Sequence, residues 1–364
     1  MKNSIGTSVI LTLFGESHGE AVGAVLDGLA PGIEVDEQEI AAWLTLRRPE
    51  DDAATARREP DRFQVVSGVF NGRTTGAPVC IVIPNEDVRS EDYEAFRNLP
   101  RPSHADYTAR VKYGGFEDYR GGGHFSGRLT AAVVAVGAIA LRALKNKGIL
   151  VGSHILRCGG IADRPFDRTA VEIPLVNARR FPVLESVEGA MRAAVLEAAR
   201  EGDSVGGVVQ TAVHGLPAGV GDPWFDSVEG DIARAVLAVG GVKGIEFGEG
   251  FRLAGMRGSE ANDAFAYNAQ KVVTLTNRSG GINGGISNGM DILFNTAVKP
   301  TPSIARPQQT VDLKSGQAAV LQLSGRHDPA IVRRICPVIT SLTAVVVCDL
   351  LARTYGTDFL KGIR

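Results

Sequence analysis

Three side chains able to move protons stand in turns of this 364-residue sequence. His18 lies in Phe14-Gly15-Glu16-Ser17-His18-Gly19, His104 follows Arg101-Pro102-Ser103, and Asp328 lies in Gly325-Arg326-His327-Asp328-Pro329. An imidazole titrates near neutrality, so it can donate or accept a proton at working pH. Arginines surround all three. Arg47 and Arg48 close a helical pattern, Arg57 and Arg58 occupy the next loop, and Arg101 precedes His104. Arg120 precedes three glycines, and Arg326 and Arg334 flank the start of the last helix. Guanidinium forks match carboxylate and phosphate oxygens. A single arginine pair is ordinarily solvated surface. A set placed beside Gly, His and Pro in turns suits a small polyanion.

Two glycine-rich loops could bring backbone N–H groups against a phosphate or an electron-rich ring. They are Gly121-Gly122-Gly123-His124-Phe125-Ser126-Gly127, which opens directly into a helix, and Gly280-Gly281-Ile282-Asn283-Gly284-Gly285. Lys299-Pro300-Thr301-Pro302-Ser303 adds a cation and hydroxyls after a strand, which again suits a phosphate. Gly15-Glu16-Ser17-His18-Gly19 fits the serine nucleophile elbow in letters, but that motif needs a helix after it. Ala21–Asp27 reads as a strand, which counts against hydrolase chemistry. No Gly-x-Gly-x-x-Gly and no Gly-Lys-Ser/Thr occurs, so Rossmann and P-loop readings lose their main support. The six histidines show no metal-ligand spacing.

The elements that must carry these groups are short strands and a few helices. Ser8–Phe14, Val22–Asp27, Phe63–Phe70 and Val79–Pro84 are apolar or alternating runs bounded by turn residues. Asp36 and Glu39 have capping-box spacing before a helix that ends at Arg47. Arg128–Lys147 and a segment from near Asp328 to Tyr355 read as helices apolar on all sides, hence buried on all sides. Pro337 should kink the second or mark its first turn. Ser186–Glu201 and Ser227–Val239 read as amphipathic outer helices with serine caps. The buried pair share an approach, Ser126-Gly127-Arg128 and Ser324-Gly325-Arg326. This suggests an internal duplication, with two helices packed centrally between sheets in one domain spanning 1–364.

Composition sets the boundaries. Lys and Arg total 39 against 41 Asp and Glu, a net charge of −2, which argues against a generic nucleic-acid binder. Glycine occurs 44 times, about 12% against a usual ~7%, with no Gly-X-Y period. Cys80, Cys158, Cys336 and Cys348 are widely spaced and fit a reducing compartment. The start of the chain has no signal-peptide pattern, and the longest uncharged apolar runs fall short of the ~20 residues a membrane span needs. The expectation is a cytoplasmic protein outside the membrane.

Taken together, the motifs resemble the chorismate synthase family. The similarity is carried by Phe14–Gly19, Arg57-Arg58-Glu59-Pro60-Asp61, Arg101-Pro102-Ser103-His104-Ala105-Asp106-Tyr107-Thr108 and Tyr119–Gly123. It continues through Gly202-Asp203-Ser204, Val242-Lys243-Gly244, Gly284-Gly285-Ile286-Ser287, Lys299-Pro300-Thr301 and Gly325–Pro329. The resemblance implies an α+β fold: a β-α-β sandwich with long central helices buried between antiparallel sheets and pseudo-duplicated halves. It implies a homotetrameric lyase that converts 5-enolpyruvylshikimate 3-phosphate to chorismate and phosphate. The reaction is a 1,4-anti elimination with reduced FMN, the last shared step of aromatic amino-acid biosynthesis. NADPH would be the indirect reductant, through an external flavin reductase.

By the same resemblance His104 assists departure of phosphate, and His18 lies beside the reduced flavin. Asp328 lies near flavin N5 and helps N5 remove the C6 proton, while Ser17 and Ser126 orient these groups. Cofactor contacts are implied for His124, Phe125, Ser126, Gly240, Gly241, Gly284, Lys299, Pro300, Thr301, Pro302, Ser303, Arg326 and Arg47. Substrate contacts are implied for Arg47, Arg48, Arg57, Arg101, Arg128 and Arg326. The sequence departs from the family at one rim. The usual Gly-Arg-Ser-Ser-Ala-Arg-Glu-Thr before the first buried helix is Gly123-His124-Phe125-Ser126-Gly127-Arg128-Leu129-Thr130. A common arginine falls on Ala53 or Ala54, and the Asn-Ala before Val242-Lys243-Gly244 is Gly240-Gly241. A flavin-binding relative with altered chemistry is the alternative, and the retained His18, His104 and Asp328 speak against it.

Overall fold

Alternating apolar residues in the first third make strands with one buried face. A computed structural model describes residues 2–49, 59–87, 97–323 and 327–362. Ser4–Ile5, Ile10–Gly15, Ala21–Asp27, Val79–Pro84 and Gln64–Ser67 lie in that spatial order in a five-stranded antiparallel sheet. Val22, Ala24, Leu26, Ile81 and Ile83 form its buried face. A second five-stranded antiparallel sheet runs Val242–Phe247, Ile292–Val298, Gly207–His214, Leu150–Cys158, Ile161–Ala162.

Two helices fill the space between the sheets. Thr130–Lys145 packs on the N-terminal sheet, Val332–Tyr355 packs on the C-terminal sheet, and the two pack on each other. On the inner face of the C-terminal sheet, the Thr340 hydroxyl donates to Ser153 Oγ at 2.8 Å. On its outer face Gly152 lies under Ile173 of the helix Thr169–Asn177. By length and composition both central helices could cross a membrane, yet their apolar windows are 78% and 100% buried between the sheets. One apolar cluster runs through both layers, from Val9 to Leu360.

The two halves repeat. Counting only the main strands of each half in chain order, the N-terminal sheet reads 4-5-3-2-1 and the C-terminal sheet 4-5-3-1-2. In each half a helix joins the third strand to the fourth: Glu37–Arg47 in the first and Val228–Leu237 in the second. Each half then ends in its buried helix. The expected duplication is therefore visible in topology. The second copy of the Ser-Gly-Arg motif, Ser324-Gly325-Arg326, lies outside the described residues.

Several boundaries differ from the sequence expectations. The strand expected over 63–70 breaks at Gly68, where φ is +83° and a Cβ would sit 2.6 Å from the Pro78 carbonyl. Asp36 caps its helix by accepting from the Gln38 amide. Ser227 also caps, but Ser186 does not: that helix runs Glu188–Arg200 and starts after Val187 without a side-chain cap. The first central helix begins at Thr130, after a tight turn at Gly127–Leu129. The second begins at Val332, because the Asp328 carboxylate accepts the Ala330 amide and closes a local turn instead. Pro337 lies within that helix. Asp106–Tyr113 and Thr169–Asn177 are helices that the sequence reading did not name.

The central helices cross at Gly137. A Cβ there would fall 2.2 Å from Ser341 Cβ and 2.8 Å from its Cα. Gly137→Ala therefore overpacks the crossing and should cost about 1–3 kcal/mol. Thermal unfolding should show a lowered midpoint, partly restored in Gly137→Ala/Ser341→Gly. An unchanged midpoint in the single variant would show that the helices can part freely.

Candidate active site

The site is organised by three consecutive glycines. Gly121, Gly122 and Gly123 have φ of +57°, +83° and +51°, values that residues with side chains rarely adopt. Their bare Cα atoms let two histidines approach one turn. A Cβ on Gly121 would fall 2.1 Å from His18 Cε1 and 2.8 Å from Ser17 Oγ. A Cβ on Gly122 would lie 3.6 Å from His104 Nε2 and 3.9 Å from Ser126 Cβ. His18, Ser17, His104 and Ser126 are thus gathered at one place. The Ser17 amide donates to the Gly123 carbonyl at 3.0 Å, and His124 Nδ1 donates to the Gly15 carbonyl at 2.9 Å, which fasten the turn to the strand end. Ser17 is fully buried and is followed by the strand Ala21–Asp27, so the nucleophile-elbow geometry is absent.

His104 is held from behind. Its Nδ1 donates to Asp106 Oδ1 at 2.5 Å, and Arg101 donates to both oxygens of the same carboxylate at 2.8 Å. Nδ1 is thereby committed and Nε2 is the nitrogen turned toward Gly122. Burial opposes the charge on Asp106, but hydrogen bonds from Arg101 and His104 outweigh it and hold the carboxyl well below its usual range. Lys299 donates to the Ser103 carbonyl at 2.5 Å and so supports the same loop, where Ser103 has φ of +60°. Burial, with Lys243 nearby, moves the Lys299 ammonium below its ordinary value.

The arginines converge on a single buried carboxylate. Asp61 has no side-chain exposure and accepts from Arg47 at 3.0 Å, from Arg48 at 3.4 Å and from Arg128. Burial of Asp61 works against its charge, and Arg47 and Arg128 outweigh it, leaving the carboxyl below the normal range. For Arg47, burial dominates over Asp61 and brings the guanidinium down to about 10. The remaining nitrogens of Arg128 donate to Asn85 Oδ1 at 2.9 Å and the Pro84 carbonyl at 3.0 Å. Arg128 is expected from the sequence to meet substrate; here every one of its nitrogens has a protein acceptor, and it clamps a loop. Asp328 accepts from Arg334 at 2.7 Å, and Arg334 Nε donates to the Arg47 carbonyl at 2.9 Å.

The remaining expected residues divide. Gly240 faces the Phe125 carbonyl, and Gly241 accepts the Lys299 amide at 2.9 Å, so this rim adjoins the glycine turn. The half-exposed Phe125 ring packs beside Tyr113, 6.2 Å between centroids. Ser303 Oγ accepts from Arg101 at 3.3 Å, and the Thr301 carbonyl accepts from Ser204 at 2.7 Å. Gly284 stands apart. Its loop packs on Asp222 and Ser227, before the ten-residue helix Val228–Leu237 whose far end leads to Gly240. That length is about 15 Å at the α-helical rise. Arg57 and Arg326 lie outside the described residues.

Comparison with known proteins decides the family. The family model described as chorismate synthase matches residues 9–352. The chain belongs to the chorismate synthase family. It is 48% identical over 353 residues to the chorismate synthase of Aeropyrum pernix, covering 96% of this chain and 93% of that one. It is 46% identical over 353 residues to that of Thermococcus kodakarensis, covering 96% and 97%. A solved crystal structure of chorismate synthase superposes with a TM-score of 0.76 at 25% identity, covering 96% of this chain and 94% of that one. The activity is accordingly that of a lyase, 5-enolpyruvylshikimate 3-phosphate giving chorismate and phosphate, in a family that uses reduced flavin.

Three residues that hold the candidate site had no role in the sequence reading, and a fourth, Arg334, stood there only as one of the arginines beside the last helix. Asp106 carries a signal, His-x-Asp spacing, and Asp61 closes the Arg57–Asp61 motif, while Arg334 is paired with Asp328. Asn85 opens a polar loop and gives no signal. Its amide group donates to the Glu16 and Gly19 carbonyls at 3.0 and 2.8 Å, joining the His18 turn to Arg128.

Gly121→Ala should push the His18 ring aside and lower turnover by about a hundredfold or more, the scale of losing a general acid–base group. Gly127→Ala, where a Cβ meets nothing within 4 Å, should keep turnover. Equal activity of the two variants would remove the glycine cradle from the explanation. The Asp106 clamp also has a pH signature. A depressed native pKa adds stability that is fully present above the unfolded value and is lost as pH falls below it. The stability difference between wild type and Asp106→Asn should therefore be flat above about pH 5 and shrink below about pH 4. Denaturant unfolding across that range checks it, and a difference that grows on acidification would contradict the clamp.

Proposed function

We propose that the glycine turn, the two histidines and Asp328 form the elimination site of this chorismate synthase, with reduced FMN and substrate side by side. The observation that carries this is the approach of His18 and His104 to adjacent glycines of one turn. A polar, anionic pair of ligands fits the unsatisfied groups. Among the described residues, Arg47 Nε, Thr301 Oγ1 and His327 Nε2 are buried without a hydrogen-bond partner; Arg47 ends the helix Glu37–Arg47, and Thr301 and His327 lie in loops. Burial, helped by Arg101, favours a neutral His327.

Bound reduced flavin would supply electron density to the allylic system while phosphate departs. The protein handles the protons and charges. His104 Nε2 gives a proton or hydrogen bond to the leaving phosphate, and Asp106 keeps the other ring nitrogen engaged, fixing the tautomer. His18 and Ser17 face the same turn from the strand side, and Ser126 steadies its exit. Asp328 takes part in removal of the C6 proton, held by Arg334. Arg101, Arg48, Arg57 and Arg326 are the cations assigned to substrate carboxylates and phosphate, with Arg47 and Arg128 behind them. Backbone at Gly122–Phe125 and Gly240-Gly241, with Lys299 to Ser303, is assigned to the flavin.

The wider reading is one domain over 1–364, supported by the continuous core, working in the cytoplasm as a homotetramer. Buried unpaired thiols suit a reducing compartment. Exposed Trp224, Phe225, Phe251, Phe265, Tyr267 and Leu275 suit a subunit interface. Reduced flavin would come from a separate NADPH-dependent reductase.

The test is anaerobic mixing with 5-enolpyruvylshikimate 3-phosphate and chemically reduced FMN, following chorismate absorbance and free phosphate. Asp328→Ala should keep flavin binding and lose most turnover, and His104→Ala should slow phosphate release. Wild-type rates in either variant would remove that residue from the mechanism.

A further inference from the structure

Asp328 is held in place by a chain of contacts that begins at the buried carboxylate across the site. Asp61 takes Arg47 Nη2 at 3.0 Å, and Arg47 is itself buried, so the end of the helix Glu37–Arg47 is fixed by a side chain from the following loop. The carbonyl of that same Arg47 accepts from Arg334 Nε at 2.9 Å. Arg334 in turn donates through Nη1 to Asp328 Oδ2 at 2.7 Å, while Asp328 Oδ1 accepts the Ala330 amide at 3.3 Å. Each link uses a different atom, so all of them hold at once. Arg333, on the neighbouring position, ties the same helix end to the last helix by donating to the Leu46 and Arg48 carbonyls. The last helix is therefore docked against the end of the first-half helix, and Asp328 sits at that junction.

Two features argue that this is more than filler. Asp61 adopts φ of +51°, an uncommon conformation for a residue with a side chain, which the surroundings must enforce. A carboxylate without exposure among several guanidinium groups also gives directional restraint that an apolar core would not.

We propose that Asp61 and Arg334 are positioning residues for the elimination: Asp61 fixes the Arg47 main chain, whose carbonyl orients Arg334, which orients Asp328. Neither touches substrate in this role. The proposal rests on the reading of Asp328 as a participant in proton removal.

The experiment compares Arg334→Gln, Asp61→Asn, their double variant and Asp328→Ala, each checked for folding by circular dichroism and thermal melting. Arg334→Gln breaks the last link and leaves the buried carboxylate cluster intact, so it decides the matter if Asp61→Asn does not fold. The expected result is a tenfold or greater fall in kcat for Arg334→Gln and Asp61→Asn, with KM for substrate changed less than threefold in Arg334→Gln, which leaves Arg48 on Asp61. The double variant should be no slower than the slower single variant, because both break one chain. A second readout needs no flavin: hydrogen exchange at the Ala330 amide should quicken in both single variants relative to wild type. Wild-type kcat in Arg334→Gln, losses that multiply in the double variant, or unchanged exchange at Ala330 would overturn the relay. Wild-type turnover in Asp328→Ala would instead overturn the role of Asp328, so the two failures are distinguishable.

Discussion

An anionic side chain without solvent contact is expensive to bury, and Asp61 is tolerated only because guanidinium groups from two helix ends close around it. Arg47 ends the first-half helix, and Arg128 lies in the turn that starts the first central helix. Their shared carboxylate fixes how these elements meet. Removing either partner would leave a buried charge exposed to low dielectric, which costs far more than an exposed pair is worth. The other restraints hang from this junction. Asn85 connects Arg128 to the His18 turn, and the Arg47 carbonyl connects to Arg334. The His18 turn and Asp328 are thus placed by an ionic framework at the edge of the apolar sandwich.

A second carboxylate does the same for the far side of the sandwich. Asp349 is buried in the last helix and accepts the amides of Thr7, Ser8 and Val9 between 2.6 and 3.2 Å. It docks the start of the N-terminal sheet on a helix from the other half. Two apolar layers can slide over one another with little change in buried area. Directional bonds at Asp349 and at Asp61 give the packing a single register, which a site built from both halves requires.

The sequence was most legible where one residue type has one physical use. Helices apolar on every side had to lie between layers, and Thr130–Lys145 and Val332–Tyr355 do. Three consecutive glycines had to form a turn that side chains would block, and Gly121 to Gly123 do. His18 and His104, titratable groups in separate turns of the sequence, meet at one glycine turn. What could not be read was pairing between distant charged residues. Nothing in spacing says that Arg128 meets Asp61 or that Asn85 faces Glu16. A guanidinium takes a carboxylate from the protein or from a ligand equally well, so composition alone does not show that Arg47, Arg48 and Arg128 share Asp61. Caps misled where tertiary packing set the helix start, as at Ser186. Gly284 looks like the other glycine turns in letters, but its loop belongs to the opposite end of a helix.

That redistribution of the arginines changes how a chain of net charge −2 can hold a polyanion. Among the described residues, Arg47, Arg48 and Arg128 share two carboxylates, Asp61 and Glu59, the latter 3.8 Å from Arg128, and Arg334 pairs with Asp328. One guanidinium charge is left uncompensated, a far weaker pull on an anion than four free arginines would exert. The starts of both central helices lie at this junction, and helix N-termini carry partial positive charge. Glycines beside them keep the backbone accessible. Under the proposed function, such a site would attract phosphate by helix dipoles and an uncompensated cation. It would also release an anionic product more readily than a pocket of uncompensated arginines, which suits an elimination that discharges phosphate on every turnover.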